Sequence, residues 1–263
     1  MAQGPGATAT QLSSQSLDRS LTELLRLEQV SRAFGGLMAV RSVDLVVQPG
    51  EILGLIGPNG AGKTTLFNLI TGVYRPTAGR LLFGADEITR LSPEKRCKLG
   101  IARTFQLVRP FLNLTVLENV AIGRVYGREA AHSRRQAEAD AQGILELVGL
   151  GDRQRRLAHE LTLVDRKRLE LARALATRPS LLLLDELLAG LNPSEVVSAL
   201  DLIQRIRGAG TTLIMVEHLV KAVFGLSDRV VVLSAGEKIA EGAPAAVAAD
   251  ARVIDAYLGT EDL

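Results

Sequence analysis

The fold of this chain is decided by the stretch Gly57-Pro58-Asn59-Gly60-Ala61-Gly62-Lys63-Thr64-Thr65. It matches the phosphate-binding pattern G-x-x-x-x-G-K-[ST] at every fixed position. The segment Glu51 to Ile56 precedes it as a predicted buried strand, and Leu66 to Ile70 follow it as a predicted helix. A strand, a glycine loop and a helix in this order direct backbone N–H groups at one phosphate chain. The stretch therefore predicts a nucleotide site rather than a glycine-rich turn that binds nothing.

The residue types within this loop suit that chemistry. Three glycines let the backbone curl tightly and approach the phosphate oxygens. Lys63 can reach the β- and γ-phosphates, and Thr64 can place its hydroxyl on Mg²⁺. We therefore assign residues 57–65 to cofactor binding and Thr64 also to a metal site.

The composition of the 263 residues excludes several classes of protein. The formal net charge of +2 and the aromatic content of 3% do not support a nucleic-acid-binding surface. The single cysteine, Cys97, excludes an internal disulfide and a cysteine metal cluster. No apolar run approaches the ~20 residues that span a bilayer, and the first residues do not resemble a signal peptide. We expect a cytosolic protein whose membrane role, if any, comes through a partner.

The N-terminal part predicts a tail followed by a small antiparallel β unit. Residues 1–22 contain too little apolar surface to order themselves, so we predict a disordered tail. Beyond them, apolar residues alternate on both sides of a turn at Phe34-Gly35-Gly36. Phe34 has two interpretations from its position alone, an aromatic that stacks on adenine or a residue of the core.

The middle of the chain predicts helices. Thr115 to Glu118 is predicted to form a capping box, and the sequence from Arg124 to about Gly151 predicts helical structure. The arginines of this segment are interpreted as a solvated face rather than a binding patch; they are Arg124, Arg128, Arg134 and Arg135. The section from about residue 92 to 156 is predicted to be a helical sub-domain inserted into an α/β core.

A second site element follows the apolar run Leu181 to Leu184, which is typical of a central parallel strand. Asp185 at its carboxyl end would lie beside the phosphate loop, where it could hold Mg²⁺. Glu186, the next residue, could orient and polarise an attacking water. The alternative is an acidic turn without chemistry, and the loop upstream favours the catalytic interpretation.

Strands alternate with helices along the whole C-terminal half, which predicts an α/β fold with a mostly parallel sheet. The motifs stand in the order typical of an ABC-type ATPase, which the chain resembles from about Leu24 to Leu258. The residues that carry this resemblance are Phe34, the 57–65 loop, Gln106, Leu161 to Arg173, Leu184-Asp185-Glu186 and His218. The resemblance implies one P-loop NTPase domain over residues 23–260, with ATP and Mg²⁺ as cofactors.

The resemblance also implies individual roles. Phe34 resembles the adenine-stacking aromatic, and His218 resembles the switch histidine that contacts the γ-phosphate. Gln106 resembles the glutamine that senses Mg²⁺ and water, so it is counted among the catalytic residues and the metal ligands. With Glu186 these residues form the expected catalytic set, and Ala189 to Asn192 occupy the place of the D-loop.

Four finer features are similar to the ATPase subunits of branched-chain amino acid importers and their relatives, which include a lipopolysaccharide-export ATPase. The features are Arg103 to Gln106, Leu117 to Val120, Ala189 to Pro193 and Val253 to Gly259. The resemblance implies a second ATPase subunit, two membrane-spanning permease subunits and a substrate-binding protein as partners. It places the chain at the cytoplasmic face of the plasma membrane, with no role for nucleic acid. An exporter ATPase or a soluble ABC ATPase is the alternative.

The chain departs from the family pattern at two places. The signature Leu-Ser-Gly-Gly-Gln is replaced by Leu161-Thr162-Leu163-Val164-Asp165, in which Thr162 preserves a hydroxyl but both glycines are gone. Leu187 stands where proline usually follows the catalytic glutamate. We count Thr162 among the cofactor-binding residues, and two interpretations of the altered signature stay open. Either this chain pairs with a different subunit in a heterodimer with two unequal sites, or the loop shifts slightly and works normally.

Overall fold

The computed structural model describes residues 23–105 and 108–258, without the side chain of Leu258. The predicted tail of residues 1–22, Gln106 and Gly259 lie outside the described residues.

Within the described residues, the strands form two sheets. The first is antiparallel with the order β2-β1-β4-β5, and the second has the order β10-β9-β3-β8-β7-β6 and is parallel except for β10. The strands are β1 Leu25–Phe34, β2 Leu37–Val47, β3 Ile52–Ile56, β4 Ala78–Phe83, β5 Asp86–Glu87, β6 Ile101–Arg103, β7 Leu181–Asp185, β8 Thr212–Val216, β9 Arg229–Ser234 and β10 Glu237–Gly242. The predicted α/β class, with its small N-terminal antiparallel unit, is confirmed.

The helices pack around these sheets. They are α1 Lys63–Ile70, α2 Pro93–Leu99, α3 Val116–Tyr126, α4 Arg134–Leu147, α5 Leu163–Ala176, α6 Pro193–Gly208, α7 Val220–Leu226, α8 Pro244–Ala248 and α9 Ala251–Leu258. Local sequence explains several of their starts. The capping box predicted at Thr115 is present, and a second one at Asn192 begins α6 with Pro193 in its first turn. No helix within the described ranges is both long and apolar enough to cross a membrane.

The predicted helical stretch from Arg124 to about Gly151 is interrupted, because the chain leaves the helical conformation between α3 and α4. Gly127 ends α3 in an extended conformation, and a Cβ on it would lie 2.4 Å from the Cα of Thr177. Ser133 then starts α4 by accepting a hydrogen bond from the Gln136 N–H. Close packing against Thr177 thus decides a boundary that helical periodicity does not show.

The arginines of this segment also behave differently from one another. Arg134 and Arg135 are exposed, as predicted for a solvated face. Arg124 is 1% exposed, and its Nε donates to Asp140 Oδ2 at 2.8 Å. The prediction is wrong for Arg124, because its charge is buried in a structural ion pair.

The large sheet separates two apolar clusters. Successive residues of β3 point to opposite faces, so Ile52 and Ile56 join one cluster while Leu53 and Leu55 join the other. Each such buried side chain contributes about 1.5–3 kcal/mol of hydrophobic stabilisation. The central parallel strands therefore hold their carboxyl ends firmly at one edge, where ligands bind in open α/β sheets.

The helices between β5 and β7 pack in two places. Helices α3 and α4 pack against each other and against α5. Helix α2 instead places the buried Arg96 at the end of α1, where the guanidinium donates to the Leu69 and Ile70 carbonyls. Burial lowers the pKa of Arg96 to about 10, and the carbonyls offset part of the cost of burying its charge. The sub-domain range of about 92–156 stays a prediction.

Candidate nucleotide site

The glycine loop runs from the end of β3 into the first turn of α1, as predicted. It places Gly57 to Gly62 before the helix and Lys63, Thr64 and Thr65 in its first turn. Gly57 has φ 149°, and a Cβ there would lie 2.1 Å from the Leu233 carbonyl oxygen. Gly62 has φ 101°, and its Cβ would lie 2.4 Å from the Ala39 carbonyl oxygen. Both positions require glycine because neighbouring backbone approaches too closely for any side chain.

The Lys63 side chain folds across this loop. Its Nζ donates to the Gly57 carbonyl at 2.6 Å and to the Pro58 carbonyl at 3.0 Å. Burial lowers the pKa of Lys63, while the charges of Glu186 and Asp185 act in the opposite direction. Both carboxylates are therefore close enough to affect the pKa of the Lys63 ammonium. The glycine loop and the carboxyl end of β7 thus lie together in one site.

The carboxylate of Asp185 is paired with Arg103, a partner that the sequence did not indicate. Arg103 Nη2 donates to Asp185 Oδ2 at 2.5 Å, and both side chains are 6% exposed. Arg103 also donates to Asn68 Oδ1 at 2.6 Å, and it lies 5.4 Å from the ring centre of Phe67. The pairing of β6 with β7 brings Arg103 beside Asp185, so only the strand order reveals this contact.

The donor set around Asp185 fits Mg²⁺ bound together with a phosphate chain. Thr64 and Asp185 line the same cavity of about 440 Å³, which supplies one hydroxyl and one carboxylate. Among the described residues, no group of three or more His, Cys, Asp or Glu side chains could hold a metal alone. Mg²⁺ is usually held by one or two protein oxygens, substrate phosphates and water, so these two residues suit it.

The structure brings Glu186 and His218 together, a contact that the sequence did not indicate. His218 Nε2 lies 2.9 Å from Glu186 Oε1, and the adjacent strands β7 and β8 position the two residues. Glu186 has φ 50°, a left-handed conformation that is unfavourable for a residue with a side chain. Backbone strain of this kind costs about 1–3 kcal/mol, so the surrounding structure must hold it.

Phe34 lies at the end of β1, beside the β2 segment that approaches Gly62. Its ring is 38% exposed and meets Tyr74 edge to face, with ring centres 5.1 Å apart. The guanidinium of Arg32 lies 4.5 Å from its ring centre. The interpretation of Phe34 as a core residue is therefore wrong, and its role in adenine stacking stays a prediction.

The altered signature forms the start of α5. The hydroxyl of Thr162 accepts a hydrogen bond from the Asp165 N–H at 3.2 Å and caps the helix. Asp165 is 5% exposed, and its carboxylate is paired with Arg153. Leu163 is 63% exposed and stands beside Thr162 at the surface. The charge of Asp165 is thus neutralised within the chain, and a bulky apolar side chain occupies the exposed part of the segment.

The C-terminal helix α9 adds a residue that the sequence did not assign to the site. Tyr257 is 6% exposed, and the Gly57 backbone hydrogen-bonds its phenol. Burial raises the pKa of Tyr257, and this hydrogen bond acts against the shift. The Val253 to Gly259 motif was a signal in the sequence, but only the folded chain brings Tyr257 to the phosphate loop.

Two family models match the chain. The model described as ABC transporter matches residues 40–189, and the model described as branched-chain amino acid ATP-binding cassette transporter matches residues 237–262. The first range contains the phosphate loop and the Asp185-Glu186 pair. The second contains Tyr257.

Relatives and solved structures are similar over nearly the whole chain. The chain is 41% identical to the high-affinity branched-chain amino acid transport ATP-binding protein LivG of Escherichia coli K12, and 38% identical to BraF of Pseudomonas aeruginosa. Each match covers 90% of this chain and 98% of the relative. The structure of the ADP conformation of MJ1267, an ATP-binding cassette of an ABC transporter, has a TM-score of 0.82 at 32% identity. The structural match covers 90% of this chain and 99% of that cassette.

Proposed function

The chain belongs to the ATP-binding subunits of ABC transporters, and from that premise we propose that it powers the import of branched-chain amino acids or related small polar solutes. The observation that carries this proposal is the match over residues 237–262 to the branched-chain amino acid cassette model. The similarity to LivG over 90% of the chain supports the same substrate class. This C-terminal match also favours an importer over an exporter or a soluble ATPase.

ATP would lie with its phosphates on residues 57–65. Lys63 would exchange its two loop carbonyls for the β- and γ-phosphates, which offer a stronger partner for the ammonium. Thr64 and Asp185 would hold Mg²⁺, which when bound neutralises charge on the phosphate oxygens. Arg103 would then share Asp185 with the metal. Phe34, exposed at the end of β1, would stack on the adenine.

Glu186 would orient and polarise the attacking water. His218, 2.9 Å from its carboxylate, would hold that carboxylate and meet the γ-phosphate. Gln106, which follows β6, would report the state of the metal site to the helices α3 to α5. In this arrangement the glycine loop would hold the phosphates of ATP and the Glu186 carboxylate would hold the attacking water, so that the γ-phosphate lies between them.

A second cassette would complete the site. A related cassette, MJ0796, has been solved as a dimer bound to ADP and phosphate; its identity of 24% establishes the common fold alone. In a head-to-tail pair, the phosphate loop of one subunit faces the signature segment of the other. Here Leu163 and Val164 replace the glycines that would let the backbone approach the phosphate. We infer a heterodimer in which the site that uses Thr162 to Asp165 is the slower one.

A loop beyond residue 108 supports a contact with the permease subunits. Phe111 and Leu112 are 47% and 46% exposed. The buried Asn119 accepts from the Phe111 N–H at 2.8 Å and donates to its carbonyl at 3.0 Å, so the loop is held in place. A fixed exposed Phe-Leu pair suits a groove or helix end of a partner. The chain would thus act at the cytoplasmic face of the plasma membrane, with a binding protein that delivers the substrate.

Reconstitution tests this function. The chain is combined with its partner cassette, permease subunits and binding protein in proteoliposomes that contain ATP, and uptake of leucine is measured. We expect ATP-dependent uptake that Lys63→Ala abolishes. Hydrolysis that leucine-loaded binding protein does not stimulate, with no uptake, would contradict the assigned substrate class.

A further inference from the structure

The catalytic carboxylate sits at the start of a short turn, Glu186 to Ala189, which we call the Glu186 turn. The Ala189 N–H donates to the Glu186 carbonyl at 3.4 Å and closes it. Leu187 occupies the second position of this turn, where proline is favoured because its ring sets the required φ. Leucine supplies no such constraint. The left-handed Glu186 at φ 50° therefore depends on other contacts to keep its conformation.

Lys167 holds the carbonyl side of the Glu186 turn. Its Nζ donates to the Glu186 carbonyl at 3.3 Å, to the Leu187 carbonyl at 3.1 Å and also to the Ala189 carbonyl. One ammonium thus gathers three carbonyl groups, which is the full number of donors that lysine carries. Lys167 lies on α5, only five positions after Thr162, so this contact ties the altered signature segment to the catalytic carboxylate.

Glu217 holds the opposite, N–H side of the same turn. Its Oε1 accepts from the Leu188 N–H at 2.8 Å, and the Leu187 backbone also hydrogen-bonds this carboxylate. Glu217 is 4% exposed. A proline at position 187 would have no N–H to donate, so this backbone bond is available because position 187 is not proline.

The charges reinforce this arrangement. The carboxylates of Glu217 and Glu186 both act to keep Lys167 protonated, against the burial that lowers its pKa. Lys167 in turn favours the ionised form of Glu217. A cation and a carboxyl group therefore lie on the two sides of one turn. Burial raises the pKa of that carboxyl group to about 7, and Lys167 acts against this shift.

We propose that Lys167 and Glu217 are positioning residues that hold the Glu186 turn between them and so keep the Glu186 carboxylate aimed at the nucleotide. This inference rests on the proposed role of Glu186 in orienting water. In the proposed mechanism neither residue touches the reacting atoms. Both act on the backbone of Glu186 to Ala189, and they supply by side-chain contacts the rigidity that proline would supply at position 187.

The test compares Lys167→Met with Lys95→Met, a matched control at an exposed position on α2. The full chain is assayed in the assembled complex for kcat, KM for ATP, affinity for a non-hydrolysable ATP analogue and melting temperature. For Lys167→Met we expect kcat to fall about tenfold, since misplaced catalytic groups lose rate. KM and analogue affinity should change by less than about twofold, because the phosphate loop is untouched. Lys167→Arg, which keeps the cation, should restore most of kcat.

A double variant tests whether the two residues act on one turn. Glu217→Met should also lower kcat, and Lys167→Met with Glu217→Met should lose less than the product of the single losses. If Glu217→Met does not fold, the comparison of Lys167→Met, Lys167→Arg and Lys95→Met tests the inference by itself. A kcat for Lys167→Met equal to that of Lys95→Met would overturn the inference. So would a joint fall in kcat, analogue affinity and melting temperature that Lys167→Arg does not rescue.

Glu186→Gln in the same assay separates this inference from the function it rests on. If Glu186→Gln turns over near the unmodified rate, Glu186 does not orient the water, and the proposed mechanism fails. If Glu186→Gln is inactive while Lys167→Met is normal, the mechanism stands and only the positioning role of Lys167 fails.

Discussion

Arg103 and Asp185 form a buried ion pair in which Nη2 and Oδ2 lie 2.5 Å apart, at the place where the carboxylate would meet Mg²⁺. The guanidinium neutralises the charge of Asp185 within the chain. Magnesium with ATP would offer a second cation to the same carboxylate. The stability of the chain should therefore depend on Arg103 most strongly when nucleotide is absent.

Arg103→Met tests this dependence. Removal of one partner of a buried pair leaves an uncompensated charge, so we expect a loss of about 3–5 kcal/mol of unfolding free energy without ligand. Saturating Mg-ATP should restore more stability to this variant than to the unmodified chain. Chemical denaturation with and without Mg-ATP measures both values. An equal loss in the two conditions would show that the metal does not share Asp185 with Arg103.

Glu186→Gln should separate binding from hydrolysis. The amide keeps the shape of the side chain but cannot polarise water, so hydrolysis should fall by roughly 100-fold or more. ATP binding should persist, and the ATP-bound dimer should accumulate. Lys63→Ala should instead weaken nucleotide binding itself. Equilibrium titration with labelled ATP and a phosphate-release assay distinguish the two, and near-normal turnover of Glu186→Gln would show that the base is misassigned.

Phe34→Ala addresses the adenine contact. The ring is already 38% exposed, so its loss should change the melting temperature little. If the ring stacks on adenine, ATP binding should weaken by roughly 1 kcal/mol. Leu37→Ala, at an exposed position paired with Phe34 across the β1–β2 hairpin, is the matched control. Unchanged ATP affinity in Phe34→Ala would remove the residue from the site.

The altered signature predicts two unequal sites in the dimer. The site built on Lys63, Asp185 and Glu186 of this chain would use the partner's signature and hydrolyse well. The site that faces Thr162 to Asp165 would be slower, because side chains replace the glycines there. With both subunits reconstituted, Glu186→Gln in this chain should damage transport more than neutralisation of the corresponding carboxylate in the partner. Equal damage, or full activity of this chain as a homodimer, would contradict the prediction.

Glu217 predicts a pH dependence of stability. Burial raises the pKa of this carboxyl from 4.5 to about 7. Between these two values the unfolded chain is ionised while the folded chain keeps the proton, so stability falls as pH rises from 4.5 to 7 and then levels off. The loss amounts to about 3 kcal/mol for this single group.

Glu217→Gln should remove that loss, because the amide does not titrate. Between pH 5 and pH 8 the unmodified chain should therefore lose unfolding free energy that Glu217→Gln keeps. Relative to the unmodified chain, the variant should become more stable as the pH rises. Glu87→Gln, at an exposed position of β5, provides the control. Parallel stability curves for Glu217→Gln and the unmodified chain would show that Glu217 does not titrate in this range.

Residues that are contiguous in the chain were predictable from the sequence. The phosphate loop, the Asp185-Glu186 pair and the capping box at Thr115 each depend on the order of neighbouring residues, so a local pattern suffices to find them. The alternation of apolar strands with helices gave the α/β class for the same reason. The break after Tyr126 was not predictable, because it depends on the contact of Gly127 with Thr177, fifty positions away.

The sequence by itself thus determined that this chain is a nucleotide-binding α/β protein, and it predicted which residues would contact the phosphates. Only the tertiary structure showed which distant side chains contact those residues and hold them in place. Arg103 reaches Asp185 across 82 positions because β6 lies beside β7, and Lys167 reaches the Glu186 turn from helix α5. Tyr257 meets Gly57 from the opposite end of the chain. Such contacts depend on the order of strands and the packing of helices, and a pattern of neighbouring residues carries no direct record of either.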